Sequence, residues 1–116
     1  MNINTNLSAH DLVQRVFEQA VESLYQAEHA THADRFQDHL KKAIALLRSL
    51  QSSLDLELGG TLASNLDDLY SYMLRRLTAV DERTTREPLR EVRDLVCTLK
   101  EAWQAIQPSI AEEYIA

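Results

Sequence analysis

A chain of 116 residues, 45% hydrophobic and 26% charged, is the size of one domain and carries enough apolar side chains for a core, which excludes intrinsic disorder. Its formal charge of -6 at pH 7 removes the counterion-release attraction that draws proteins to phosphate backbones, so nucleic acid is not an expected partner. The lone cysteine, Cys97, cannot close an internal disulfide, the opening MNINTNLSAHDL lacks the basic start and apolar stretch of a signal peptide, and no apolar run approaches the roughly 20 residues that span a bilayer; a cytosolic protein without membrane insertion is expected.

Four segments repeat at helical spacing and none alternates as a strand does. The first helix is expected to open at Ser8, with Asp11 three positions on as a near capping box. It turns Leu12, Val16, Phe17, Ala20, Val21 and Leu24 to one face and ends near Glu28 to Ala30. Thr31 is expected to cap the second helix, again with an acidic residue, Asp34, three along; its stripe is Phe36, Leu40, Ala43, Ile44, Leu47, Leu50 and Leu54. The two glycines, Gly59 and Gly60, then stand side by side, where a left-handed residue can end one helix and let the next begin, and predict a tight hairpin. In the third helix Leu62, Leu66, Leu69, Met73, Leu77 and Val80 keep to a narrow seam, while Tyr70 and Leu74 widen the apolar arc to roughly 140° at about 100° per residue.

The fourth helix, capped by Thr84 or Thr85 and tolerating Pro88 in its first turn, carries Leu89, Val92, Leu95, Val96, Leu99, Trp103 and Ile106 until Pro108 stops it. Four helices of about 20 residues, each about 30 Å long and joined by short loops, predict an all-α antiparallel four-helix bundle. Residues 1–116 are expected to form one domain, with a flexible N-terminal arm over 1–7 and a C-terminal tail over 108–116 that has room for a short fifth helical turn.

Catalytic signatures are sparse. A di-metal carboxylate bundle needs Glu-x-x-His pairs, and no glutamate here has a histidine three residues later. His10, His29, His32 and His39 crowd the first third of the chain, and His29 could meet His32 across the turn, but spacing dictates no third or fourth ligand. Cys97 lies off the apolar stripe with no histidine nearby in sequence and reads as a packing residue rather than a nucleophile. Asp67 and Asp68 diverge by about 100° on a helix and read as a solvated face. Arg75, Arg76, Arg83, Arg86, Arg90 and Arg93 gather around the third loop, interleaved with Asp81, Glu82, Glu87, Glu91 and Asp94, which predicts surface ion pairs rather than a phosphate site. Neither an enzyme nor a cofactor is expected.

What remains is a surplus of apolar surface. A bundle helix needs about three apolar positions in seven, yet the second helix adds Leu46 beside Leu47 and Leu50, and the third adds Tyr70 and Leu74. Such positions either thicken the core or line a groove that accepts a partner helix through anchors at i, i+3 or i+4 spacing.

A more specific signal runs from Ser53 to Leu77. Ser53-Leu54-Asp55, Gly59-Gly60, Asn65-Leu66, Leu69-Tyr70 and Tyr72-Met73-Leu74-Arg75-Arg76-Leu77 stand in an order and spacing that resembles the signature of the FliS-type flagellin export chaperones. Leu99-Lys100-Glu101-Ala102-Trp103 is similar to the end of that family's fourth helix, and Ser8 with Leu12 to the start of its first. The resemblance implies a chaperone of bacterial flagellar type III export that binds the disordered C-terminal segment of flagellin in a hydrophobic groove. It would block premature polymerisation in the cytosol and hand the client to the export gate. On that reading the contacts to flagellin fall on Leu47, Leu50, Leu54, Leu62, Leu66, Tyr70, Met73 and Leu74, with Asn65 and Tyr72 as polar edges.

Two departures from the family pattern stand out. The usual longer, tyrosine-bearing N-terminal arm is here only Met1 to Leu7, which leaves the groove open or covered by the tail through Ile110, Tyr114 and Ile115. In the first helix the family's Leu-Tyr-Asp-Gly-Ala becomes Val16-Phe17-Glu18-Gln19-Ala20, which removes a site of close helix approach. Two alternatives share the charge and size: a helical export adaptor of the filament-cap type, and a regulatory bundle that self-associates through the same apolar face as a weak homodimer.

Overall fold

The computed structural model describes residues 8–81 and 83–106, which form four helices: α1 (Ala9–His29), α2 (Ala33–Ser52), α3 (Gly60–Thr78) and α4 (Glu87–Ala105). Each packs on its neighbour in sequence, and α4 returns to pack on α1, closing a ring in which α3 and α4 touch least. Cross-helix bonds show the directions. Glu28 near the end of α1 meets Arg90 near the start of α4, and Arg76 near the end of α3 meets Glu91, also near the start of α4, so both pairs run antiparallel; Gln51 at the end of α2 reaches Asp67 and Ser71 around the middle of α3. The result is the expected all-α antiparallel four-helix bundle. The expected N-terminal arm, C-terminal tail and fifth turn lie outside the described residues.

Helix ends show where local chemistry prevailed and where it did not. Ser8 Oγ accepts from the Asp11 N–H at 3.1 Å while the Asp11 carboxylate accepts from the Ser8 N–H at 3.3 Å, a complete capping box worth about 1 kcal/mol. The second cap differs from expectation: His32, not Thr31, holds the N-cap of α2 and makes no side-chain bond to it. Thr31 Oγ1 instead pairs with His32 Nδ1 at 3.2 Å. The turn is secured from a distance, because Arg86 Nη1 donates to the carbonyls of Ala27, Glu28 and Ala30, each at 3.0 Å, and so satisfies the orphaned end of α1. That reach also explains the start of α4. Arg86 itself occupies the N-cap, Thr85 Oγ1 accepts from the Glu87 N–H, and Pro88 sits in the first turn. Thr84 belongs to the preceding turn, where its N–H donates to Asp81 Oδ1.

The glycine pair is not itself the hairpin. Helix α2 ends at Ser52, and residues 53–59 cross to α3 in a turn organised by Asp55, whose Oδ1 accepts from the N–H groups of Glu57 and Leu58. Gly60 alone takes a left-handed φ of +56°. A Cβ there would meet nothing within 4 Å, so the backbone torsion, and not crowding, calls for glycine.

The core takes Phe17, Ala20, Leu24 and Ala27 from α1, Phe36, Leu40, Ala43, Leu47 and Leu50 from α2, Tyr70, Met73 and Leu77 from α3, and Leu89, Val92, Val96 and Trp103 from α4. Each large member contributes about 1.5–3 kcal/mol by leaving water. Two residues expected on the inner stripes stay out: Leu12 is 51% exposed and Leu62 46%. Both sit in the first turns of their helices, at the end of the bundle where the four stripes no longer close on one another.

Candidate partner-binding cavity

At that end the helices enclose an apolar cavity of about 240 Å³, open to the surface. All four contribute. Val13 and Phe17 come from α1; Leu50 from the end of α2, with Ser53 and Leu54 just beyond it; Leu62, Leu66 and Tyr70 from α3; and Leu99, Ala102, Trp103 and Ile106 from the end of α4. One wall is pinned by a reciprocal clasp. Trp103 Nε1 donates to the His10 carbonyl at 3.0 Å, and His10 Nε2 donates to the Trp103 carbonyl at 2.8 Å. Their rings stack with centroids 5.1 Å apart, and Phe17 packs tilted on the indole at 6.4 Å. Exposed large apolar side chains crowd the same end: Leu12, Leu62, and, on the α2–α3 connection, Leu56 and Leu58, the last 73% exposed. Tyr25, toward the other end, completes that set among the described residues.

The residues singled out from sequence divide into two groups. Leu50, Leu54, Leu62, Leu66 and Tyr70 converge on the cavity. Leu47 and Met73 are fully buried in the middle of the bundle, Leu74 is half-buried against the core and outside the cavity wall, and Asn65 is exposed on α3. Tyr72, expected as a free polar edge, spends its hydroxyl on Glu91 Oε2 at 2.6 Å. The contributions of Val13, Ser53 and the whole α4 wall went unread as site residues. Phe17, Leu99, Trp103 and Ile106 are legible as stripe positions, but no sequence signal says that stripes converge on space rather than on one another.

The chain matches the family described as flagellar protein FliS over residues 2–110. It belongs to the FliS family of flagellar secretion chaperones. Among its relatives, the flagellar secretion chaperone FliS of Vibrio cholerae is 32% identical, over 93% of this chain and 84% of its own length. That of Salmonella typhimurium is 35% identical over 87% and 78%, and FliSB of Pseudomonas aeruginosa is 33% identical over 88% and 83%.

The opposite end of this FliS-family bundle holds a buried charge cluster. Glu28, 8% exposed, accepts from Arg90 Nε at 3.0 Å and from Arg93 Nη1, and the Arg86 guanidinium lies 4.4 Å over the Phe36 ring. The sequence predicted surface pairs among neighbouring residues, whereas the acid that gathers Arg90 and Arg93 comes from α1 and is buried. Between α3 and α4, Arg76 Nε donates to Glu91 Oε1 at 2.8 Å. The Tyr72 hydroxyl, and then Arg76, hold the Glu91 carboxyl below the usual carboxylate range. Among the described residues no group of three His, Cys, Asp or Glu side chains could hold a metal ion, and His29 lies against Tyr25 rather than His32. No described helix is long and apolar enough to cross a membrane.

Proposed function

We propose that this protein is a non-enzymatic chaperone of the bacterial cytosol that binds the disordered C-terminal segment of flagellin through the cavity, prevents its premature polymerisation and delivers it to the export gate. The observation that supports this most directly is the open apolar cavity itself, lined by Tyr70, Leu50, Leu54, Leu62 and Leu66. A client folding into helical turns on this surface would bury Leu56, Leu58 and Leu62 together with its own anchors. The ordering cost of the client is offset by that burial, which keeps affinity moderate and release to the gate feasible. Without client, the same exposed leucines favour weak self-association, which client should suppress.

Calorimetric titration with a peptide covering the C-terminal helical segment of flagellin, at two temperatures, tests the reading. One peptide per chain, about -8 kcal/mol or better, and a negative heat-capacity change are expected. Absence of heat at high peptide concentration would overturn it and favour a filament-cap type client.

A further inference from the structure

Two tyrosines stand two positions apart on α3 and meet opposite environments. Tyr72 is half-exposed and its hydroxyl is satisfied by Glu91. Tyr70 is 4% exposed and faces an apolar cavity, and among the described residues its hydroxyl has no hydrogen-bond partner. Burial pushes its phenol well above the ordinary tyrosine range. Among the described residues, Gln14 Oε1 is the one side-chain polar atom that is both sealed from solvent and unpartnered, so the Tyr70 hydroxyl keeps its remaining access through the cavity it lines. The other hydroxyl in the wall, that of Ser53, already donates to the Leu50 carbonyl at 2.8 Å. Tyr70 is thus the cavity's uncommitted donor. A client that fills the cavity cuts this hydroxyl off from solvent, and must then supply an acceptor or leave it buried and unpaired at a cost.

The form of its missing partner follows from the chemistry of the site. A client that seats the middle of a helix there spends those backbone carbonyls on its own i to i−4 bonds, so the free acceptor it brings is a side-chain oxygen. The cavity wall holds no cation, so a carboxylate would enter uncompensated. Resting on the client-binding reading above, we propose that Tyr70 is the specificity-determining residue of the cavity: its hydroxyl donates to the amide or hydroxyl oxygen of an Asn, Gln, Ser or Thr that an otherwise apolar client segment seats there. A wholly apolar segment of the same shape leaves the hydroxyl unpaired and is disfavoured.

The test is a double-mutant cycle by calorimetry between the intact chain and the flagellin C-terminal peptide. Tyr70→Phe should bind about three- to tenfold more weakly than the wild type, while unfolding at the same or a higher denaturant concentration, because the hydroxyl has no bond to lose among the described residues. Alanine at one Asn, Gln, Ser or Thr of the peptide should weaken wild-type binding by a similar factor and leave the Tyr70→Phe variant indifferent. Tyr72→Phe should do the reverse, lowering stability and sparing affinity. Equal affinity of Tyr70→Phe and wild type, or no peptide position coupled to Tyr70, overturns the assignment while leaving the client-binding reading intact. Failure of the wild type to bind the peptide removes both.

Discussion

Where α1 finishes and α4 begins, a buried carboxylate gathers two arginines and a third closes the last turn of α1. Where α1 begins and α4 finishes, the same two helices are pinned by His10 and Trp103 and enclose apolar space instead of charge. The first end joins three elements through Glu28 and Arg86; the second leaves Leu56, Leu58 and Leu62 in water. The difference shows how a small bundle can keep an unfilled cavity. Cross-links and packing at one end hold the ring of helices closed, so the other end can leave contacts unmade without splaying.

The largest test of that division falls on the closed end. Phe36→Ala removes a fully buried ring from beneath the Arg86 guanidinium and should cost about 3–5 kcal/mol in urea unfolding. Glu28→Ala leaves the partly exposed Arg93 without its buried partner and the Arg90 pair undone, and should cost about 1.5–3 kcal/mol. In both variants the fraction still folded should bind client with wild-type affinity. A matching loss of affinity would mean that the two ends are one unit.

At the open end the expected pattern inverts. Leu62→Ser should change unfolding by less than about 0.5 kcal/mol and weaken client binding about tenfold, near 1.4 kcal/mol. Leu74→Ser, outside the cavity wall but packed on the core, should instead cost about 1 kcal/mol of stability with little change in affinity. If Leu74→Ser spared stability and weakened binding, the client surface would extend along the α3–α4 seam.

The smallest effect concerns pH. Glu91 has a folded-state pKa below its unfolded value, so its pairing with Tyr72 and Arg76 adds stability at neutral pH. That increment begins to fade as the pH drops past the unfolded carboxylate value of about 4.3 and is gone below the folded one. Denaturant titrations from about pH 7 to about pH 3 should therefore show a shallower acid loss for Glu91→Gln than for the wild type. An identical slope would mean that the triad contributes nothing measurable.

The sequence alone determined the helical class, the four stripes, the capping box at Ser8 and the family, because these depend on local periodicity and on residue types within a few positions of one another. Half of the expected client residues, Leu50, Leu54, Leu62, Leu66 and Tyr70, also lie together in the folded chain. What periodicity could not carry is which stripe residues meet and which leave space. Tyr70 and Leu74 widen the same arc of α3, yet only Tyr70 reaches the cavity, and Trp103, read as core, is both core and wall. The start of α4 escaped local rules for the same reason: Arg86, its N-cap, is committed to the carbonyls of Ala27, Glu28 and Ala30, far away in sequence. Burial, voids and long-range hydrogen bonds are properties of pairs brought together by the whole fold, and only the tertiary structure decides them.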